Sequence, residues 1–307
     1  MFKQTCSDLT KLPKQKVRQW LSTFESVICD ADGVLWHFSK ALEGSADVFN
    51  LLSASGRKTF VVSNNSEISR TDMAKKAKDL GFEVEEASVL TSSFSVANFL
   101  SAKNFQKKAF VMGENGIQQE LECLGISTVI MAEKLEKPLH EFVADLKLDP
   151  EVGAVVVGKD EDFNMAKLVR AGTYLLNPET LFLGTCLDAA YPIGNNRVVL
   201  GAAAPLAAMK ALTGRMPLVM GKPNPWMAAP LLQSGLIKPE TTLMVGDTLE
   251  TDIHFSANCG FQSLMVGSGV NSLKDVQKIL EEGDPKQMNL VPDTYLPSLG
   301  HLQEFLC

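Results

Sequence analysis

Short apolar runs alternate with helix-like periodicity along most of the chain. Residues 26–29 (SVIC) read as a short buried strand. Residues 45–55 read as a helix with Val48, Leu51 and Leu52 on one face, and Gly56 stops it. The run 58–62 (KTFVV) is the next strand. Ser69 is placed to cap a helix carrying Met73 to Leu80, which Gly81 ends. This β-α-β-α order predicts a parallel sheet with helical crossovers. The pattern returns late, with apolar strands at 218–220, 242–245 and 263–266. Strands buried on both faces are expected to look like such unbroken apolar runs. The middle alternates as well, with strands at 109–112, 128–131, 154–157 and 181–184 and helices at 117–124, 139–146 and 166–176. No internal repeat or low-complexity linker separates middle from flanks. Pro192, Gly194 and Gly201 mark an exit from the middle region.

Composition narrows the class. A chain of 307 residues suggests two domains, because a single core seldom grows beyond about 250–300 residues. Hydrophobic residues at 45% and charged residues at 21% are those of an ordinary globular protein. A net charge of −7 argues against nucleic acid or an acidic membrane as partner. The lysines Lys75, Lys76 and Lys78 read as the solvated face of a helix. No apolar run reaches the roughly 20 residues that span a bilayer, and the polar first 21 residues lack a signal core. The six cysteines show no C-x-x-C pair or zinc spacing, so reduced thiols and a cytoplasmic location are expected.

Four strand-end segments carry the candidate chemistry. In VICDADGVLW (27–36), Asp30 and Asp32 follow a buried strand, where open α/β sheets bind ligands. Two carboxylates so spaced can divide labour, one as nucleophile and metal ligand, the other as general acid and base. In VVSNNS (61–66), Ser63 offers a hydroxyl, and the backbone N–H groups at Asn64 and Asn65 suit a phosphoryl oxygen. In MGKPNPW (220–226), Lys222 can set a positive charge on a phosphate and on an attacking carboxylate. In LMVGDTLETD (243–252), Asp247 is placed as an oxygen ligand for Mg²⁺, and Asp252 can orient Lys222 or Asp247 from behind. Taken singly, each segment is also an ordinary turn, surface lysine or helix-start acid.

Taken together, D-x-D-G-V, S-N-N, G-K-P and G-D-x-x-x-x-D resemble the haloacid dehalogenase superfamily of phosphatases. Trp36, SNNSEISR, VVVGKDEDFNMAKLVRAGTYLL, TLFLGTCLD and the region after GKP resemble the branch holding phosphoglycolate phosphatase, pyridoxal phosphate phosphatase and the 4-nitrophenylphosphatases. The likeness runs from about residue 20 to the C-terminus. It implies an α/β fold, with a Rossmann-like core of parallel sheet and a large inserted α/β cap. Ser63 and Lys222 stand 159 positions apart, which leaves room for that insertion. The expected core is 1–94 with 202–307, and the expected cap is 95–201.

The resemblance implies a mechanism. Asp30 attacks phosphorus in line, and Asp32 protonates the leaving alcohol and then activates water. Mg²⁺ is held by Asp30, by the main-chain carbonyl of Asp32 and by Asp247. Ser63, Asn64, Asn65 and Lys222 hold phosphoryl oxygens, while Asp252 supports from behind. The partner is a small phosphorylated substrate, and dimerisation through the cap is a trait of related proteins. Charge arithmetic supports the cation separately. Four carboxylates and one lysine leave the site at −3; a divalent ion brings it to −1, and a protonated Asp32 to zero.

The cap departs from its relatives. Where they read T-N-x-D, Cys186 replaces the asparagine, and GAAAP at 201–205 replaces a glycine-serine stretch. The alanines at 202–208 favour a helix. Tyr191 stands where pyridoxal phosphate phosphatases carry histidine. Asp188 and Tyr191 are candidates for substrate contacts. A non-catalytic binder of phosphorylated ligands is the competing reading. A nucleotide-binding oxidoreductase, suggested by Gly113, Gly116, Gly267 and Gly269, lacks a G-x-G-x-x-G after the first strand. Dehalogenase chemistry conflicts with the presence of Asp32.

Overall fold

The apolar runs build two parallel sheets in the computed structural model, which describes residues 5–131, 135–192 and 197–306. Gly194 and Cys307 therefore lie outside the described residues, as does the side chain of Tyr191. The chain forms two compact units: Met1–Ser63, Thr71–Leu90 and Lys222–Cys307 make the first, and Asn64–Arg70 with Thr91–Gly221 the second.

The first unit is built on a seven-stranded sheet. Its strand order is Ser7–Asp8, Thr294–Leu296, Gln262–Val266, Thr242–Gly246, Ser26–Cys29, Lys58–Ser63 and Val89–Thr91. The pairings from Ser7–Asp8 through Lys58–Ser63 are all parallel. Ser26–Cys29 and Thr242–Gly246 are buried at every position, because helices cover both faces. Parallel strands end at one edge, so the ends of 26–29, 58–63 and 242–246 are neighbours there. That edge carries Asp30, Ser63 and Asp247.

The second unit holds a five-stranded sheet in the order Leu218–Val219, Leu181–Gly184, Val152–Val157, Lys108–Met112 and Thr128–Ile130, again all parallel. Alternate strand residues feed two cores. Phe110, Met112, Val155 and Val157 pack with Phe182, Leu206 and Met209 on one side. Ala109, Val111, Ala154 and Val156 pack with Val96, Leu100 and Ile117 on the other.

One sequence expectation changes. The run at 218–220 is not a strand of the flanking sheet. Leu218 and Val219 pair with Leu183 and Gly184, which makes them an edge of the second unit's sheet. Helix Ala203–Thr213 buries Leu206 and Met209 in the second unit's core, so that unit runs on to Gly221. The segment Asn64–Arg70 belongs with it too. No helix among the described residues is long and apolar enough to cross a membrane. None of the described cysteines forms a disulfide.

Candidate active site

Three carboxylates and one lysine converge at the strand-end edge of the first unit. Asp30 follows strand Ser26–Cys29, and Asp247 follows Thr242–Gly246. Asp252 sits in the π-helical turn Leu249–Ile253, an irregular backbone often found at functional sites. A carboxylate oxygen from each of the three lies within 4.8 Å of the other two.

Lys222 is only 2% exposed. Its Nζ donates to Asp30 Oδ1 at 2.5 Å, to Asp252 Oδ1 at 2.7 Å and to Val62 O at 3.0 Å. An ammonium has three protons, and these three acceptors account for them. Burial alone would pull its pKa down, but the charges of Asp252 and Asp30 outweigh that and raise it. Lys222 is therefore a fixed cation.

Burial acts on the acids in the opposite sense. Burial pushes Asp30 well above the usual carboxylate range; Lys222 draws it back, and Asp252 and Asp247 raise it further. Asp247 is pushed up to about 7, first by burial and then by the charge of Asp252. Three carboxylates against one ammonium leave a buried excess of negative charge.

The donor set fits a hard divalent cation. Asp252 is fully engaged: Oδ1 takes Lys222, and Oδ2 accepts the N–H groups of Asp247 and Thr248, both at 3.1 Å. That leaves Asp30 and Asp247 as the oxygen donors facing the excess charge. Among the described residues no hydrogen bond reaches Asp30 Oδ2. One or two carboxylates completed by water and substrate oxygens is the usual Mg²⁺ environment.

The surrounding loops are shaped for these acids. Asp247 Oδ2 accepts Val270 N–H at 2.7 Å, and its Oδ1 accepts the Thr248 hydroxyl at 3.2 Å. A side chain at Gly33 would put Cβ 2.4 Å from Asp247 Oδ2, and one at Gly269 would put it at 1.8 Å. Gly33 also has φ +89°. The Ser268 hydroxyl donates to Gly33 O, and His37 Nε2 donates to Ser268 O, which ties the loop after Asp30 to the loop after strand Gln262–Val266.

The structure thus brings together Asp30, Lys222, Asp247 and Asp252, with Ser63 buried at the neighbouring strand end. Asp32 is exposed on the same loop as Asp30, where its backbone bridges to Trp36. Asn64, Asn65 and Asp188 lie in the second unit, where Asn64 Nδ2 donates to Asp188 Oδ1 at 3.4 Å. Tyr191 is in strand Ala190–Pro192. Sequence reasoning missed Val270, Thr248 and the purpose of Gly33 and Gly269. In the sequence Gly269 stands out only as one of the glycines that suggest a nucleotide-binding loop. Its place just after the strand 262–266 was the available signal.

Comparison with known proteins agrees with this geometry. A family model for haloacid dehalogenase-like hydrolases matches residues 27–127, and a second, HAD-hydrolase-like model matches 219–299. Mouse chronophin is 33% identical over 296 residues, covering 94% of this chain and 96% of that protein. The chain belongs to the haloacid dehalogenase-like hydrolases. Among these hydrolases, human glycerol-3-phosphate phosphatase is 31% identical, covering 95% of this chain and 94% of its own. The crystal structure of 4-nitrophenylphosphatase from Thermotoga maritima superposes with a TM-score of 0.74 at 25% identity, covering 92% of this chain and 98% of that one. The protein is a phosphatase of this superfamily, in the branch of these relatives.

Proposed function

We propose that the chain is a Mg²⁺-dependent phosphatase of small phosphate monoesters, working through an aspartyl-phosphate on Asp30. The observation that carries this is the buried convergence of Asp30, Asp247 and Asp252 on Lys222 at one sheet edge. Bound through Asp30, Asp247 and the main-chain carbonyl of Asp32, the cation would offset charge on the phosphoryl oxygens.

The protein's own groups do the rest. Lys222 keeps Asp30 oriented and brings positive charge to the phosphoryl group. Asp30 Oδ2 forms the new bond to phosphorus as the bond to the leaving oxygen breaks, and Asp32 gives that oxygen its proton. A water then attacks phosphorus, Asp32 takes its proton, and inorganic phosphate leaves Asp30 free. Ser63 and the backbone that follows it hold phosphoryl oxygens. Asp252 fixes Lys222 and the turn that carries Asp247. Asp188 and Tyr191 are proposed as substrate-selecting residues. Dimerisation through the second unit and a cytoplasmic location go with this reading.

Chronophin, glycerol-3-phosphate phosphatase and chloroplastic phosphoglycolate phosphatase frame the substrate search. Release of phosphate from 4-nitrophenyl phosphate with and without Mg²⁺ tests the class. A panel including phosphoglycolate and glycerol 3-phosphate, scored by kcat/KM, tests the substrate. Cys186 and the stretch GAAAP at 201–205, where the cap departs from the resemblance, favour a second reading as a non-catalytic binder of phosphorylated ligands. Binding of esters without any Mg²⁺-dependent turnover would select it.

A further inference from the structure

The segment after Ser63 is held residue by residue within the second unit. Asn65 Oδ1 accepts the N–H groups of Glu67 at 2.9 Å and Ile68 at 3.3 Å. Glu67 O accepts Gly116 N–H at 3.0 Å, and Glu67 pairs with Lys159 at 2.7 Å. Glu120, 3% exposed, closes the far end: Oε1 accepts Arg70 N–H at 2.5 Å, and Oε2 accepts Arg70 Nε at 3.2 Å. The Arg70 guanidinium lies 3.6 Å above the Phe94 ring. Gly116 admits no side chain, since a Cβ there would come within 2.6 Å of the Ile68 backbone.

The near end is governed by one hydroxyl. Ser92 Oγ, fully buried, donates to Asn64 O at 2.7 Å and also lies 3.2 Å from Asn65 O. Ser92 opens the helix Ser92–Ala102, whose start is fixed by Thr91 Oγ1 accepting Phe94 N–H at 3.1 Å. A trans peptide is planar, with its N–H pointing opposite to its C=O. Turning the carbonyls of Asn64 and Asn65 toward Ser92 therefore turns the N–H groups of Asn65 and Ser66 away from it. Two successive N–H groups so directed make the kind of concavity that accepts an anionic oxygen.

We infer that Ser92 is a positioning residue for the phosphoryl-binding backbone, acting by locking the peptide planes on either side of Asn65. This rests on the phosphatase reading above. Without the hydroxyl, Asn64 O is buried with its donor gone, and the peptide can rotate to find another. The N–H groups of Asn65 and Ser66 then lose their direction. Ground state and transition state share those contacts, so the loss falls on binding and not on turnover.

The test is steady-state hydrolysis of 4-nitrophenyl phosphate by the full chain, with inorganic phosphate as product inhibitor. Ser92→Ala is expected to raise KM and the phosphate inhibition constant together by about tenfold, with kcat within about threefold of the parent, the scale of one lost hydrogen bond. Ser92→Thr keeps a hydroxyl and restores both constants. Ser95→Ala is the control: its buried hydroxyl bonds Thr91 O at 3.2 Å one turn along the same helix, and its loss leaves both constants unchanged. Should Ser92→Ala not fold, Ser92→Cys, a near-isostere with a weak donor, shows the same paired rise. An unchanged inhibition constant in the folded Ser92 variant, or an equal rise in Ser95→Ala, overturns the inference while leaving the phosphatase intact. A wild-type chain that neither hydrolyses esters nor binds phosphate overturns both.

Discussion

Lys222 and Asp252, 30 positions apart, meet through a 2.7 Å ion pair that is almost wholly shut off from solvent. Asp252 is 0% exposed, and its second oxygen accepts the N–H groups of Asp247 and Thr248. One carboxylate therefore orients both the cation that touches Asp30 and the turn that presents Asp247. A buried pair of this kind contributes little net stability, because desolvating both charges offsets their attraction. Its value lies in holding two other residues still.

Removing the cation should expose the imbalance. Lys222→Met leaves three buried carboxylates without a counter-charge, and the expected loss is about 3–5 kcal/mol of stability. Asp252→Asn keeps the shape and one hydrogen-bonding oxygen, so activity should fall about 10–100-fold, as for other supporting partners of a metal site. Urea unfolding of the first variant and kcat/KM of the second check these. Parent-like values in both would mean the pair does not organise the site.

Asp30→Asn separates chemistry from folding. The side chain keeps its volume and an oxygen for Lys222, yet cannot form an acyl phosphate. Turnover should drop by at least about a thousandfold, the scale of losing a nucleophile. The circular dichroism spectrum should match the parent. Full activity would remove Asp30 from its role.

Chelation should be reversible. Treatment with EDTA is expected to abolish ester hydrolysis, and added Mg²⁺ to restore it. In Asp247→Asn one of the two available carboxylates is lost, so half-maximal activation should need at least about tenfold more Mg²⁺. Activity titrated against free Mg²⁺ gives the answer. Activity indifferent to chelation would point to a metal-independent reaction.

The thiols should differ in reactivity with pH. Burial pushes Cys259 up to about 12, and burial followed by the charge of Asp188 pushes Cys186 higher still. The thiolate is the reactive form, so a raised pKa leaves almost none of it at pH 8. Exposed Cys123 should take iodoacetamide at pH 8, whereas Cys186 and Cys259 should be labelled only after unfolding. Peptide mapping by mass spectrometry distinguishes them. Labelling of native Cys186 at the rate of Cys123 would contradict the buried placement.

The central strands were legible because both their faces are covered. SVIC at 26–29 and TLMVG at 242–246 are apolar at nearly every position, so burial writes itself directly into composition. The four motifs were legible for a related reason. Parallel strands all end at one edge, so acids just after such runs are brought near one another by topology alone. Leu218–Val219 reads as a strand equally well, but a two-residue segment carries too little pattern to say which sheet it joins.

By itself, the sequence determined the periodicity, the order of the elements and the chemical identity of Asp30, Asp32, Ser63, Lys222, Asp247 and Asp252. Tertiary structure alone decided which oxygen of Asp252 serves Lys222 and which serves the backbone of Asp247. It also decided that residues 64–70 are held by Ser92, Gly116 and Glu120, and that Gly33 and Gly269 clear the space around Asp247. The reason is range. Hydrophobic pattern is a local consequence of burial, whereas a hydrogen bond or a close approach depends on ångström distances between positions tens to hundreds of residues apart, which no local pattern records.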